Sequence, residues 1–200
     1  MQEVNRTRRN VTGIEPYVAG LPAKQMEVAR EIVPSAAKIG LLTDLKDQKA
    51  PPQADELAAA GRALQVTIVT ADASQPDDLE PAFEKLAKQR VDVVIVLQTS
   101  MLLSQGRKIA DLALASRLPT VFGYREHVLV GGLVSYGVDL SWCFHRGASF
   151  IGKILQGSNP GDLPVEFPTK VQLAINLKTA QALNLTVSPA FLGRADEVIE

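Results

Sequence analysis

The chain has 200 residues, 46% hydrophobic and 22% charged, which is the makeup of a globular protein with room for one α/β domain, or one domain and part of another. A net charge of -1 excludes the strongly basic surface that nucleic acid or an acidic membrane would call for, so no nucleic-acid partner is expected. The single cysteine, Cys143, excludes an internal disulfide. No stretch is long and apolar enough to span a membrane, and MQEVNRTRRNVTG lacks the apolar segment of a signal peptide. A chain that truly starts at Met1 is therefore expected to stay in the cytoplasm. Arg6, Arg8 and Arg9 form a short basic cluster without aromatics and read as a solvated tail.

In chain order, AKQMEVAREIVP predicts a helix closed by Pro34, with Met26, Ala29 and Val33 near helical spacing. AKIGLLTD reads as a buried strand, QADELAAAGRALQ as a helix with Leu57 and Leu64 on one side, and VTIVTAD as a strand. SQPDDLEPAFEKLAKQR predicts a helix with a Ser cap, acids first and bases last, as the helix dipole favours. Leu79, Phe83 and Leu86 form its inner stripe. VDVVIVLQTS is apolar on both faces, as in the middle of a parallel sheet. LSQGRKIADLALASR predicts a helix, LPTVFGY a strand and GGLVSYG another short one. Alternation through five strands predicts a three-layer α/β/α sandwich with a mainly parallel five-stranded sheet and right-handed crossovers. After Ser141 the rhythm changes. A long helix carries Phe144, Ala148, Ile151 and Leu155 at helical spacing and ends at Gly157, with Pro160 beyond. An extended segment from about Lys170 to Asn176 and a short helix follow, and SPAFLGRADEVIE reads as a final turn.

In an open parallel sheet, ligands bind beyond the carboxyl ends of the strands. Those ends carry Thr43 and Asp44, Thr70 to Asp72, Gln98 to Ser100, Gly123 to Glu126, and Ser135 to Gly137. Hydroxyls, an amide and a carboxylate on one rim suit a small polar ligand, although every α/β sheet ends in polar loops. Catalytic signatures are missing: no G-x-G-x-x-G follows a strand, and neither a P-loop nor a G-x-S-x-G elbow occurs. His127 and His145 with one cysteine cannot supply a zinc site of usual spacing, and no cofactor is expected. Cys143 and His145 sit two apart on a helix and face different ways, so they make no thiol–imidazole pair. A phospho-receiver domain would need an aspartate after the third strand, where this chain has Gln98 and Thr99. His127 reads as a surface or helix-start residue and Trp142 as packing, while Asp139 is open between starting the long helix and meeting a ligand.

NVTGIE, GGLVSYGVDL, GSNPGDLPVEFPTK, INLKTAQALNL and ADEVIE, in that order, resemble the ABC transporter substrate-binding proteins related to tryptophan and tyrosine uptake. The likeness runs from about Asn10 to Glu200. It implies a type I periplasmic-binding fold, in which two α/β lobes close on a small polar solute, amino acids among them, without chemistry. It also implies ABC permease subunits as partners and a periplasmic location. On this pattern residues 1–22 are the remnant of a first lobe and its crossover, and 23–140 a complete second lobe. Residues 141–200 are then a crossing helix, hinge segment and C-terminal helix that pack with the first lobe. The resemblance places ligand contacts at Gln98, Thr99 and Ser100, and at Tyr124, Glu126, Gly132, Ser135 and Tyr136. Glu126 would pair with an amino group, while hydroxyls and N–H groups hold a carboxylate. Members of the family are longer at the N-terminus, so the chain reads as a truncated form. Phe144, Phe150, Ile151, Leu173 and Ile175 would then lose neighbours, which favours a homodimer or domain swap. The alternative is a cytoplasmic ligand-sensing or interaction module built on a single lobe.

Overall fold

A computed structural model of the chain describes residues 10–200, so the Arg6, Arg8 and Arg9 cluster lies outside the described residues. The described residues form two compact units. One joins Ala19–Gly137 to Gln172–Glu200, and the other joins residues 10–18 to Val138–Val171.

In the larger unit, helix α1 (Leu21–Ile32) starts after Gly20 with Pro22 in its first turn, where a missing N–H costs nothing. It stops before Pro34, which cannot continue a helix. The strands are β1 (Lys38–Thr43), β2 (Thr67–Asp72), β3 (Val93–Val96), β4 (Thr120–Phe122), β5 (Val134–Val138), β6 (Val171–Asn176) and β7 (Glu197–Ile199). They line up as β2-β1-β3-β4-β5-β6-β7. The pairings run parallel, with Ile39 opposite Val93, Val94 opposite Thr120, Val121 opposite Val134 and Ala174 opposite Glu197. Every residue of β3 is buried, as a strand with helices on both faces must be. Helices α2 (Ala50–Ala63), α3 (Leu79–Lys88), α4 (Ser100–Ser104), α5 (Gly106–Ala115) and α6 (Arg125–Leu129) connect these strands. Leu57, Phe83, Leu86, Leu102 and Ile109 carry α2 to α5 onto the core.

The three-layer expectation holds, but the sheet has seven strands rather than five. The apolar run Leu173–Ala174–Ile175 adds β6 beside β5, whose edge groups need partners. Asp196 then exchanges two bonds with Leu173: its N–H donates to the Leu173 carbonyl and its Oδ2 accepts from the Leu173 N–H, both at 2.8 Å. That lock seats β7, so the expected terminal turn is instead α9 (Pro189–Leu192) followed by a strand. Helix α8 (Leu177–Ala182) follows β6 and is capped by Asn176. Two local expectations also change. The helix expected from Leu103 starts at Ser100 and breaks at Gln105 into α4 and α5. Asp78, not Ser74, organises the start of α3: its carboxylate accepts from the Ser74 and Gln75 N–H groups at 3.1 and 3.2 Å.

The smaller unit is built on α7 (Leu140–Leu155). Asp139 starts it, accepting from the Trp142 N–H at 3.0 Å, which settles that residue's structural role. Ile14 pairs with Glu166 as a parallel bridge, and Arg146 clamps the Glu166 carboxylate through Nε and a terminal nitrogen at 2.6 and 2.5 Å. Arg146 and Lys153 both lie over the buried Phe150 ring. The apolar stripe of α7 is uncovered, as expected of residues that lose their neighbours: Phe144 is 77%, Ile151 60% and Leu155 82% exposed. Leu173 and Ile175, by contrast, are buried in the core of the larger unit.

Candidate functional site

The sheet reverses its direction of growth once. The chain passes from β1 to β2 on one side, then returns to place β3 on the other side of β1. At such a switch point the connecting segments leave on opposite faces and open a crevice above the strand ends. Here that position is held by Thr43 and Asp44 at the end of β1 and by Gln98 and Thr99 after β3, all four buried. Buried polar groups must find partners or cost stability.

Much of that demand is met by three buried glutamines. Gln53 of α2 donates through Nε2 to the carbonyls of Lys49 and Gln98 at 2.8 and 3.1 Å, and its Oε1 accepts from the Gln98 N–H at 2.8 Å. Gln98 donates through its own Nε2 to the Gly123 carbonyl at 2.9 Å. Gln25 of α1 donates to the Tyr136 carbonyl at 2.9 Å. These amides brace the ends of β3, β4 and β5 against one another and against α1 and α2. The backbones meet without side chains between them: a Cβ on Gly137 would stand 1.7 Å from the Gly123 carbonyl oxygen.

The brace leaves oxygens over. Thr43 Oγ1, Gln98 Oε1, Glu126 Oε2, Ser135 Oγ and Gln25 Oε1 are buried without a hydrogen-bond partner among the described residues. Amide and carboxylate oxygens accept only, and hydroxyls do either. Of the side chains that carry these atoms, only Glu126 is more than slightly exposed.

The residues singled out in the sequence fall into two sets. Gln98, Thr99, Ser100, Tyr124 and Glu126 stand at or just after the ends of β3 and β4. Thr99 Oγ1 caps α4 by accepting from the Leu102 N–H, Ser100 is exposed with its N–H on Asp47 Oδ2, Tyr124 is buried, and Glu126 is half-buried on α6. Ser135 lies opposite Phe122, the last residue of β4. Gly132 and Tyr136 stand apart. Gly132 precedes β5 against the Phe122 ring and the His127 carbonyl. Tyr136 lines a lateral pocket of about 320 Å³ with Lys24, Glu27 and Arg194. Lys24 is held above the usual lysine range there by its bond to Glu27. His127 is not at the surface: it is 2% exposed, and burial lowers its pKa. Sequence reading missed Gln25 and Gln53. The available signal was position, since Gln53 precedes buried Leu57 by four and Gln25 precedes buried Val28 and Ala29 by three and four, so each polar side chain faced inward. Among the described residues, no group of three or more His, Cys, Asp or Glu could hold a metal, and no helix is long and apolar enough to cross a membrane.

Several solved structures share this parallel α/β fold. A conserved domain protein from Vibrio cholerae superposes with a TM-score of 0.90 at 24% identity, covering 98% of this chain and 66% of that one. An ABC domain in complex with L-Trp from Streptococcus pneumonia superposes at 0.89 with 23% identity, covering 99% and 66%. A ligand-free, open substrate binding protein with adhesive properties from Clostridium difficile superposes at 0.70 with 18% identity, covering 99% and 65%. Among curated proteins, a tyrosine-binding protein of Clostridioides difficile is 23% identical over 176 residues, which is 88% of this chain and 50% of that protein. Residues 1–199 match the family described as ABC transporter substrate binding protein, and the chain belongs to that family. It spans about half the length of the curated relative and about two thirds of the solved ones.

Proposed function

We propose that the chain acts as a solute-binding component of an ABC importer, and that the rim above β1, β3 and β4 forms one wall of a site for an amino acid. The observation that carries this reading is the match of residues 1–199 to the family of ABC transporter substrate binding proteins, with polar side chains gathered at the ends of β1, β3 and β4. The compounds named for the relatives, tyrosine and L-Trp, share an α-ammonium, an α-carboxylate and an aromatic ring. Glu126, half-buried on α6, suits the ammonium. Capture of this kind breaks no bond, so the rim needs acceptors and donors rather than a nucleophile. The opposite wall is assigned to the part of the relatives that this chain does not match, the permease is the partner, and the periplasm is the place of action. Calorimetric titration with L-tryptophan and L-tyrosine tests the reading. Glu126→Gln, which keeps the size and removes the charge, should weaken binding roughly tenfold or more, the usual worth of a charge-assisted bond. Equal affinity in the variant, or no binding to the unaltered chain, overturns it.

A further inference from the structure

His127 is buried between α4 and the end of β4. Its ring is parallel to Phe122 at 4.5 Å between centroids and 15°, and to Tyr124 at 6.3 Å and 10°. Its Nε2 lies 3.2 Å from the Leu102 carbonyl. A carbonyl only accepts, so the bond to Leu102 requires the proton on Nε2. Nδ1 is buried with no partner among the described residues. The His127 N–H donates to the Tyr124 carbonyl at 3.2 Å. Leu102, on α4, is tied to the loop after β3 by its N–H, which donates to Thr99 Oγ1. Gly106, at the break between α4 and α5, leaves room for the ring: a Cβ there would stand 3.1 Å from His127 Cδ2. A phenylalanine could fill the stack as well as an imidazole. Only an N–H donor supplies the bond across to Leu102.

We propose that His127 is a positioning residue that sets, through one ring, the spacing between the loop of Gln98–Ser100 and the loop of Tyr124–Glu126. The inference rests on the reading that these loops line the ligand site. Two variants separate the bond from the packing: His127→Phe keeps a ring in the stack and removes the donor, and His127→Gln returns a donor to the reach of Nε2. With L-tryptophan and L-tyrosine as probes, His127→Phe should weaken binding about five- to tenfold, the worth of one buried bond, and His127→Gln should recover to within about twofold. Amide hydrogen exchange gives a readout that needs no ligand. In His127→Phe, exchange should speed up at Leu102–Gln105 and at Tyr124–His127 together, with α8 unchanged, and His127→Gln should restore both. A change confined to α6, or full affinity and protection in His127→Phe, overturns the inference. If neither amino acid binds the unaltered chain, the functional reading falls, while exchange still decides the coupling. If His127→Phe does not fold, nitrogen NMR of the unaltered chain decides. A proton on Nε2 with Nδ1 bare is expected, and the opposite tautomer removes the bond to Leu102.

Discussion

Gln53→Leu tests whether the buried amides hold the strand ends. Gln53 is fully buried and makes three bonds, two of them to the backbone of Gln98. Leucine has nearly the same length and fills the space, but it strands the Gln98 N–H and carbonyl in the interior. The Lys49 carbonyl, in a half-buried residue, can turn to solvent. A buried group left unpaired costs about 1–3 kcal/mol, so the two at Gln98 together cost about 2–6 kcal/mol. The added apolar contact of leucine offsets about 1–2 kcal/mol of that. The net loss is expected near 3 kcal/mol, or about 6–12 °C in Tm for a chain of this size. Urea unfolding followed by circular dichroism measures it, with an unchanged slope showing that the unfolded state is not the cause. A loss under about 0.5 kcal/mol would refute the bracing argument, because a surface glutamine would cost no more.

Three further outcomes follow from the same geometry. Gly137→Ala places a methyl 1.7 Å from the Gly123 carbonyl oxygen, far inside contact distance, so β4 and β5 must separate there. A loss above about 3 kcal/mol, or failure to fold, is expected, and near-normal denaturant stability would show the approach to be looser. His127 gives a pH dependence of defined sign. Burial lowers its pKa below 6.5, so the unfolded chain takes up the proton first as pH falls. Its contribution is complete above the unfolded value and declines as pH drops through the lowered folded one, by at most about 1.4 kcal/mol per pH unit. The stability gap between the unaltered chain and His127→Gln should therefore narrow from about pH 7.5 to about pH 5.5, and a constant gap would count against a buried neutral ring. In the smaller unit, the Arg146 guanidinium bonded to Glu166 holds that carboxyl below the usual range. Carbon NMR titration should show the Glu166 pKa rising toward normal in Arg146→Gln, and an unmoved value would deny the pair.

The chain's own pattern was enough for the fold class and the family. VVIV between two amphipathic helices can only be a covered strand, and the residues behind that pattern are neighbours in sequence. Strand-end residues such as Gln98 and Thr99 were legible for the same reason: once the strands are known, so are their ends. The edges of the sheet were not legible. Three residues, Glu197–Ile199, carry too little periodicity to be told from a turn, and they became a strand because Asp196 met Leu173. The stripe on α7 was visible as a stripe, but helical spacing does not say which face is covered, and Phe144 and Leu155 are exposed.

What the sequence by itself determined was therefore which segments are strands and helices, that they alternate into a parallel α/β unit, and that their polar ends crowd one rim. Only the tertiary structure decided how that rim is held. Gln25 reaches Tyr136 across 111 positions, Gln53 reaches Gln98 across 45, and His127 reaches Leu102 across 25. Local periodicity reports on side chains one or two turns apart, whereas a bond between distant residues exists only after the sheet has set their strands side by side.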